Sequence, residues 1–146
     1  MEHELSQGDR KFLEDFEGCR IEPSAFHHRE HVRLAYALLT VYGVSEARIR
    51  LKGALLRFLD HNGVDPAGYH ETMTVGWLLA VHYFMGKSRP ARSWREFIRR
   101  NGILLDKNIL FTHYSRELIA STKAREAFVE PDLDPIPVRV PMAALA

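Results

Sequence analysis

Residues 73–85 constrain this chain more than any other stretch. Val75, Trp77, Leu78, Leu79, Val81, Tyr83 and Phe84 leave it apolar almost all round. A helix without a polar face has to be enclosed by other elements. A bilayer is not the enclosure, because the longest apolar run, residues 75–85, is broken by His82 and falls short of the ~20 residues a membrane crossing needs. The segment is therefore expected inside a helical bundle. The rest of the chain fits that reading. A length of 146 residues suits one domain, and 46% hydrophobic with 27% charged residues is the balance of a globular protein.

Around this segment the chain reads as helices separated by well-marked breaks. Residues 6–17 carry capping candidates Ser6 and Asp9 and an apolar face of Phe12, Leu13 and Phe16, ended by Gly18. After Pro23 and a candidate N-cap at Ser24, a second helix is predicted over 26–42, closed by Gly43. Ser45 is the expected cap of a third helix whose buried stripe is Ala47, Leu51, Ala54, Leu55 and Phe58, stopped by Asn62-Gly63. The apolar fourth helix is predicted from Tyr69 to Met85. Ser93 and Glu96 have capping-box spacing for a short fifth helix. Residues 103–114 read as a helical turn around Leu110 and Phe111, and Ser115 opens a last helix that Ser121 or Thr122 can re-cap. From Pro131, four prolines in eleven residues exclude helix interior and central strand, so the tail should lie extended, with Ile136, Val138 and Val140 alternating along one edge. The expectation is an all-α bundle of about five to six helices over 1–130 and an extended tail over 131–146.

Two polar intrusions interrupt this apolar plan. Phe26-His27-His28-Arg29-Glu30-His31 opens the second helix with three histidines in five residues, and Tyr69-His70-Glu71-Thr72 opens the fourth. His28 and His31 extend the apolar stripe of Val32, Ala35, Leu38, Leu39 and Tyr42 backwards, so both should point inward, with His27 at the margin. In an up-and-down bundle the second and fourth helices run parallel, which puts both openings at the same end. On a helix, i,i+3 neighbours lie ~5–6 Å apart at Cβ, which is chelating distance for His28 and His31; His27 and His31 at i,i+4 form a second possible pair. With His70 and Glu71 as further donors, the set suits one divalent transition metal, zinc, iron, nickel or copper, better than magnesium or calcium. A metal-free ligand or acid/base site and a structural polar cluster are the alternatives. Glu71 is a candidate catalytic base or ligand, although a first-turn carboxylate is also what the helix dipole favours. Tyr114, in His113-Tyr114-Ser115-Arg116, is the second catalytic candidate. His27, Trp77 and Arg116 are candidate substrate contacts, with core packing the default for Trp77 and surface pairing for Arg116.

Other classes are disfavoured. A net charge of +1 supplies no field for nucleic acid or an anionic bilayer. Residues 87–100 hold six basic residues and one acid, interleaved with Trp94 and Phe97, but without a nucleic-acid motif they read as a solvated face. The lone Cys19 forms no internal disulfide, and the opening MEHELSQGD is not a leader, so cytoplasmic residence is expected.

The segments Phe26-x-His28-x-x-His31, Tyr69-His70-Glu71-Thr72, and Tyr114-Ser115 followed by Ala124-Arg125, Phe128-Val129 and Pro131-Asp132-Leu133 resemble a family of small bacterial proteins of uncharacterised activity, over residues 26 to about 137. The resemblance implies polar-site positions at His28, His31, His70 and Glu71, and leaves out His27, His82 and His113. It implies no reaction. Neither H-E-x-x-H nor Glu-x-x-His occurs, which speaks against zincins and ferritin-like di-iron proteins. The functional expectation is a protein that binds or transforms a small molecule in a His/Glu pocket. The competing expectation is a non-catalytic helical module that meets a protein partner through residues 87–100 and the tail.

Overall fold

The computed structural model describes residues 2–137. Over that span the chain is all helical, with seven α-helices, four short 3-10 turns and no strand among the described residues. Helix α1 is Gln7–Glu17, α2 His28–Tyr42, α3 Val44–His61, α4 Glu71–Lys87, α5 Trp94–Arg100, α6 Arg116–Ile119 and α7 Thr122–Glu126. The count exceeds the expected five to six because Ser121 does re-cap the chain, accepting from the Ala124 N–H at 3.1 Å and splitting the last helix into α6 and α7. The tail residues Val138 and Val140 lie outside the described residues; Ile136 is buried.

Local chemistry sets the boundaries. Ser6 and Asp9 form the capping box of α1. Two expected caps are displaced. Ser24 is absorbed by the 3-10 turn Pro23–Ala25, and α2 starts instead behind His27, whose backbone N–H donates to the Glu30 carboxylate at 2.8 Å. Ser45 is not needed as a cap, because Gly43 adopts φ 79° and turns the chain between α2 and α3 by itself. That left-handed conformation costs a side-chain-bearing residue strain and glycine almost none. At α4 the expected start at Tyr69 moves to Glu71, since His70 takes the N-cap and its Nδ1 accepts from the Met73 N–H at 3.1 Å.

Packing divides into two apolar clusters that share α4. The larger joins α1, α2, α3 and α5 and contains Phe16, Leu34, Tyr36, Leu38 and Phe97, with Leu78 and Val81 of α4. The smaller sets Val75 and Leu79 of α4 against Leu110, Tyr114, Ile119 and Ile136. Facing two cores explains why α4 has no polar side. It is not the most enclosed helix, however. That is α2, buried from Leu34 through Leu39 and packed against α1, α3, α4 and α5. Gly76 brings α4 close to the second cluster: a Cβ there would come within 3.1 Å of Leu110 Cδ1.

Candidate functional site

The openings of α2 and α4 do meet. His28, His31 and His70 line one cavity of about 630 Å³, together with the apolar wall of Phe26, Ala35, Leu51, Leu55, Phe58, Met73, Trp77 and Leu78. The stripe that carries Leu51, Leu55 and Phe58 on α3 is thus core along most of its length and cavity wall on one side. The 3-10 turn Lys107–Thr112 and the start of α6 complete the mouth with Lys107, Asn108, Phe111 and Arg116. No Asp or Glu is among the lining residues.

The three imidazoles differ in what they are bonded to. His70 has both ring nitrogens engaged: Nδ1 accepts the Met73 N–H, and Nε2 donates to the Ile119 carbonyl at 2.7 Å, tying α4 to α6. His28 donates from Nε2 to the Leu104 carbonyl at 2.9 Å and meets Trp77 edge-on at 4.4 Å between ring centroids, which leaves Nδ1 as its lone-pair nitrogen. His31 has no hydrogen bond from either nitrogen among the described residues; its ring rests on Phe26 at 4.2 Å. By area His31 is exposed, but it lines the cavity, whose protein walls still crowd the ring. That crowding, and secondarily the neighbouring His28, pushes its pKa down to about 4, so the imidazole is neutral near pH 7.

Glu71 and Tyr114, the two candidate catalytic residues, lie outside the cavity lining. Buried Glu71 accepts from the Tyr69 hydroxyl at 2.7 Å and from Arg48 at 3.2 Å, with Lys52 at 3.7 Å, so its carboxylate joins α3 to α4. Tyr69 itself is held protonated, its pKa raised by burial and by that bond to Glu71. Tyr114 is fully buried in the second cluster, and its hydroxyl donates to the Val129 carbonyl at 2.7 Å. Burial, then the charges of Glu130 and Asp132, also raise its pKa. Of the candidate substrate contacts, Trp77 and Arg116 line the cavity, whereas His27 is exposed and off its wall.

For a metal, His28 through Nδ1 and His31 are the imidazoles with an unspent nitrogen; His70 could join only by giving up its cap on α4. Among the described residues no group of three or more His, Cys, Asp or Glu is arranged to hold an ion. The basic stretch 87–100 also changes meaning in three dimensions. Trp94 and Phe97 are core residues, while Arg100 donates to the Arg89 carbonyl at 3.0 Å and pairs with Glu96.

Lys107, Asn108 and Phe111 are the wall residues that sequence reasoning missed as a site. Nothing local marks them, because they reach the cavity only when the 3-10 turn docks across the N-terminal end of α4. No described helix is long and apolar enough to cross a membrane. No protein-family model, curated protein or solved structure matches this chain.

Proposed function

We propose that this protein binds a small, largely apolar organic molecule in the cavity between α2, α3, α4 and the turn Lys107–Thr112. The observation that carries the reading is a cavity of about 630 Å³ whose apolar wall holds one neutral imidazole, His31, with no hydrogen-bond partner among the described residues. The size falls within the roughly 300–1,000 Å³ of pockets that enclose small ligands, and a few polar groups on an apolar wall are their usual composition. Filling the space replaces poorly packed apolar surface with contacts, while His31 supplies one directional hydrogen bond. His28, through Nδ1, and His31 are the imidazoles on the wall with an unspent nitrogen, which makes them the residues to examine if the bound molecule is transformed. A two-imidazole metal site on His28 and His31 is the second reading, favoured by their shared placement on the wall.

Phenylnaphthylamine, a neutral fluorophore dark in water and bright in apolar surroundings, tests the main reading. Saturable one-to-one enhancement is expected, weakened at least ten-fold in Met73→Trp, which fills the cavity from α4, while the variant keeps its helical circular dichroism. Absence of saturable binding, or binding indifferent to Met73→Trp, refutes the pocket. Zinc titration followed through the His31 ring resonances tests the second reading; unmoved resonances refute it.

A further inference from the structure

The mouth of the cavity has a charge asymmetry that the apolar interior does not explain. Lys107 and Arg116 both line it, as does Asn108, and all three are exposed. Neither cation has a carboxylate partner among the described residues. Asp106 and Glu117 flank them in sequence but do not line the cavity, and the Asp106 carboxylate is turned to its own backbone, accepting from the Asn108 N–H at 3.0 Å. The Arg116 guanidinium lies over the Phe111 ring at 4.1 Å, which fixes its plane and leaves its N–H edge available. A planar guanidinium with a free edge is matched to a carboxylate, which it can hold by two parallel hydrogen bonds.

We infer that the ligand is an amphipathic organic acid, with its apolar body between Leu51, Leu55, Phe58 and Trp77 and its carboxylate at the rim on Arg116 and Lys107. This rests on the pocket reading above and names the class of molecule that the pocket takes. The orientation follows from desolvation. A carboxylate driven against the apolar floor would lose its water without compensation, whereas at the rim it stays hydrated while meeting two cations. The same arrangement selects against an organic amine, which would bring a third positive charge to the mouth.

Competition against bound phenylnaphthylamine decides it, with decanoate, decanol and decylamine as matched displacers. In a purely apolar cavity decanol wins, because it has no charge to desolvate. The expected result is the reverse: decanoate displaces the probe at about five-fold lower concentration than decanol, decylamine is the weakest, and added salt erodes the preference. In Lys107→Gln, Arg116→Gln the decanoate-to-decanol ratio falls to about one, while Lys123→Gln, an exposed cation off the cavity, leaves it intact. Decanol matching or beating decanoate, decylamine matching decanoate, or a preference that survives the double substitution overturns the inference and leaves the pocket standing. A probe that never binds removes both.

Discussion

Two of the places where polar residues enter the interior of this molecule are built on opposite plans. Beside α1 and α5, His3 sits against the rings of Tyr36 and Phe97 with both nitrogens engaged: Nε2 donates to the Met85 carbonyl at 2.7 Å, and Nδ1 accepts from the Ala91 N–H at 3.0 Å. Asp9 of α1 is buried and accepts from the Ser6 and Trp94 N–H groups at 2.9 Å each and from Arg33 at 2.8 Å. Burial opposes its charge, but those bonds outweigh burial and hold its pKa below the ordinary value. At the cavity, His31 has no hydrogen-bond partner among the described residues and only the Phe26 ring against it. Both regions combine histidine with aromatic rings, so residue type does not distinguish them. What distinguishes them is whether the histidine's hydrogen-bonding capacity is used up within the fold, as at His3, which marks a staple, or left over, as at His31, which marks a place for something else.

The sharpest way to break that distinction is Asp9→Ala. Removing the carboxylate strands the Trp94 N–H and the partly buried Arg33 guanidinium together, a loss of about 3 kcal/mol, to be read from urea denaturation. A value close to zero would mean that the bonded cluster is no more structural than the cavity. A smaller loss separates the histidines. His70→Ala removes the cap of α4 and the tie to Ile119, and should cost about 1–2 kcal/mol. His31→Gln, which breaks no bond within the fold, should move stability by less than about 0.5 kcal/mol while weakening phenylnaphthylamine binding. If His31→Gln proves the more destabilising of the two, His31 is a packing residue and the cavity loses its polar feature.

How far the sequence carried these distinctions depends on the range of the interaction. The helices were legible because each is written locally: the Phe12, Leu13 and Phe16 face, the stop at Gly43, the cap at Ser93. That the openings of α2 and α4 would lie at the same end, lining one cavity, was legible too, because the order of helices in a bundle fixes which ends are neighbours; convergence of three rings on one ion was not found among the described residues. What sequence could not supply was hydrogen-bond valence. Glu71 and Tyr114 look like catalytic groups in one dimension, and only the placement of Arg48, Lys52 and Val129 shows that both are bonded within the fold. The displaced helix starts have a related cause. Ser24 and Ser45 are good caps by type, but Glu30 and the left-handed turn at Gly43 had already closed those positions. Lys107 and Asn108 were invisible for the opposite reason, since their role comes from where a short 3-10 turn lands.

The mildest test probes the cavity through pH. The folded state lowers the His31 pKa from 6.5 to about 4, so between those values the unfolded chain takes up a proton that the folded chain refuses. Whatever stability goes with the neutral ring is present above pH 6.5 and lost as the pH falls toward about 4. His31→Gln abolishes that component, so its urea midpoint should decline less steeply than that of the parent across the same window. The difference should be small, because water reaching the ring through the mouth screens part of the cost of charging it. The Cε1–H resonance of His31 reports the same event directly. A midpoint well below 6.5 that shifts when phenylnaphthylamine binds keeps His31 in the cavity wall. A midpoint at the ordinary histidine value would make it a solvated surface residue, and the contrast with His3 would reduce to bonded protein against bulk water.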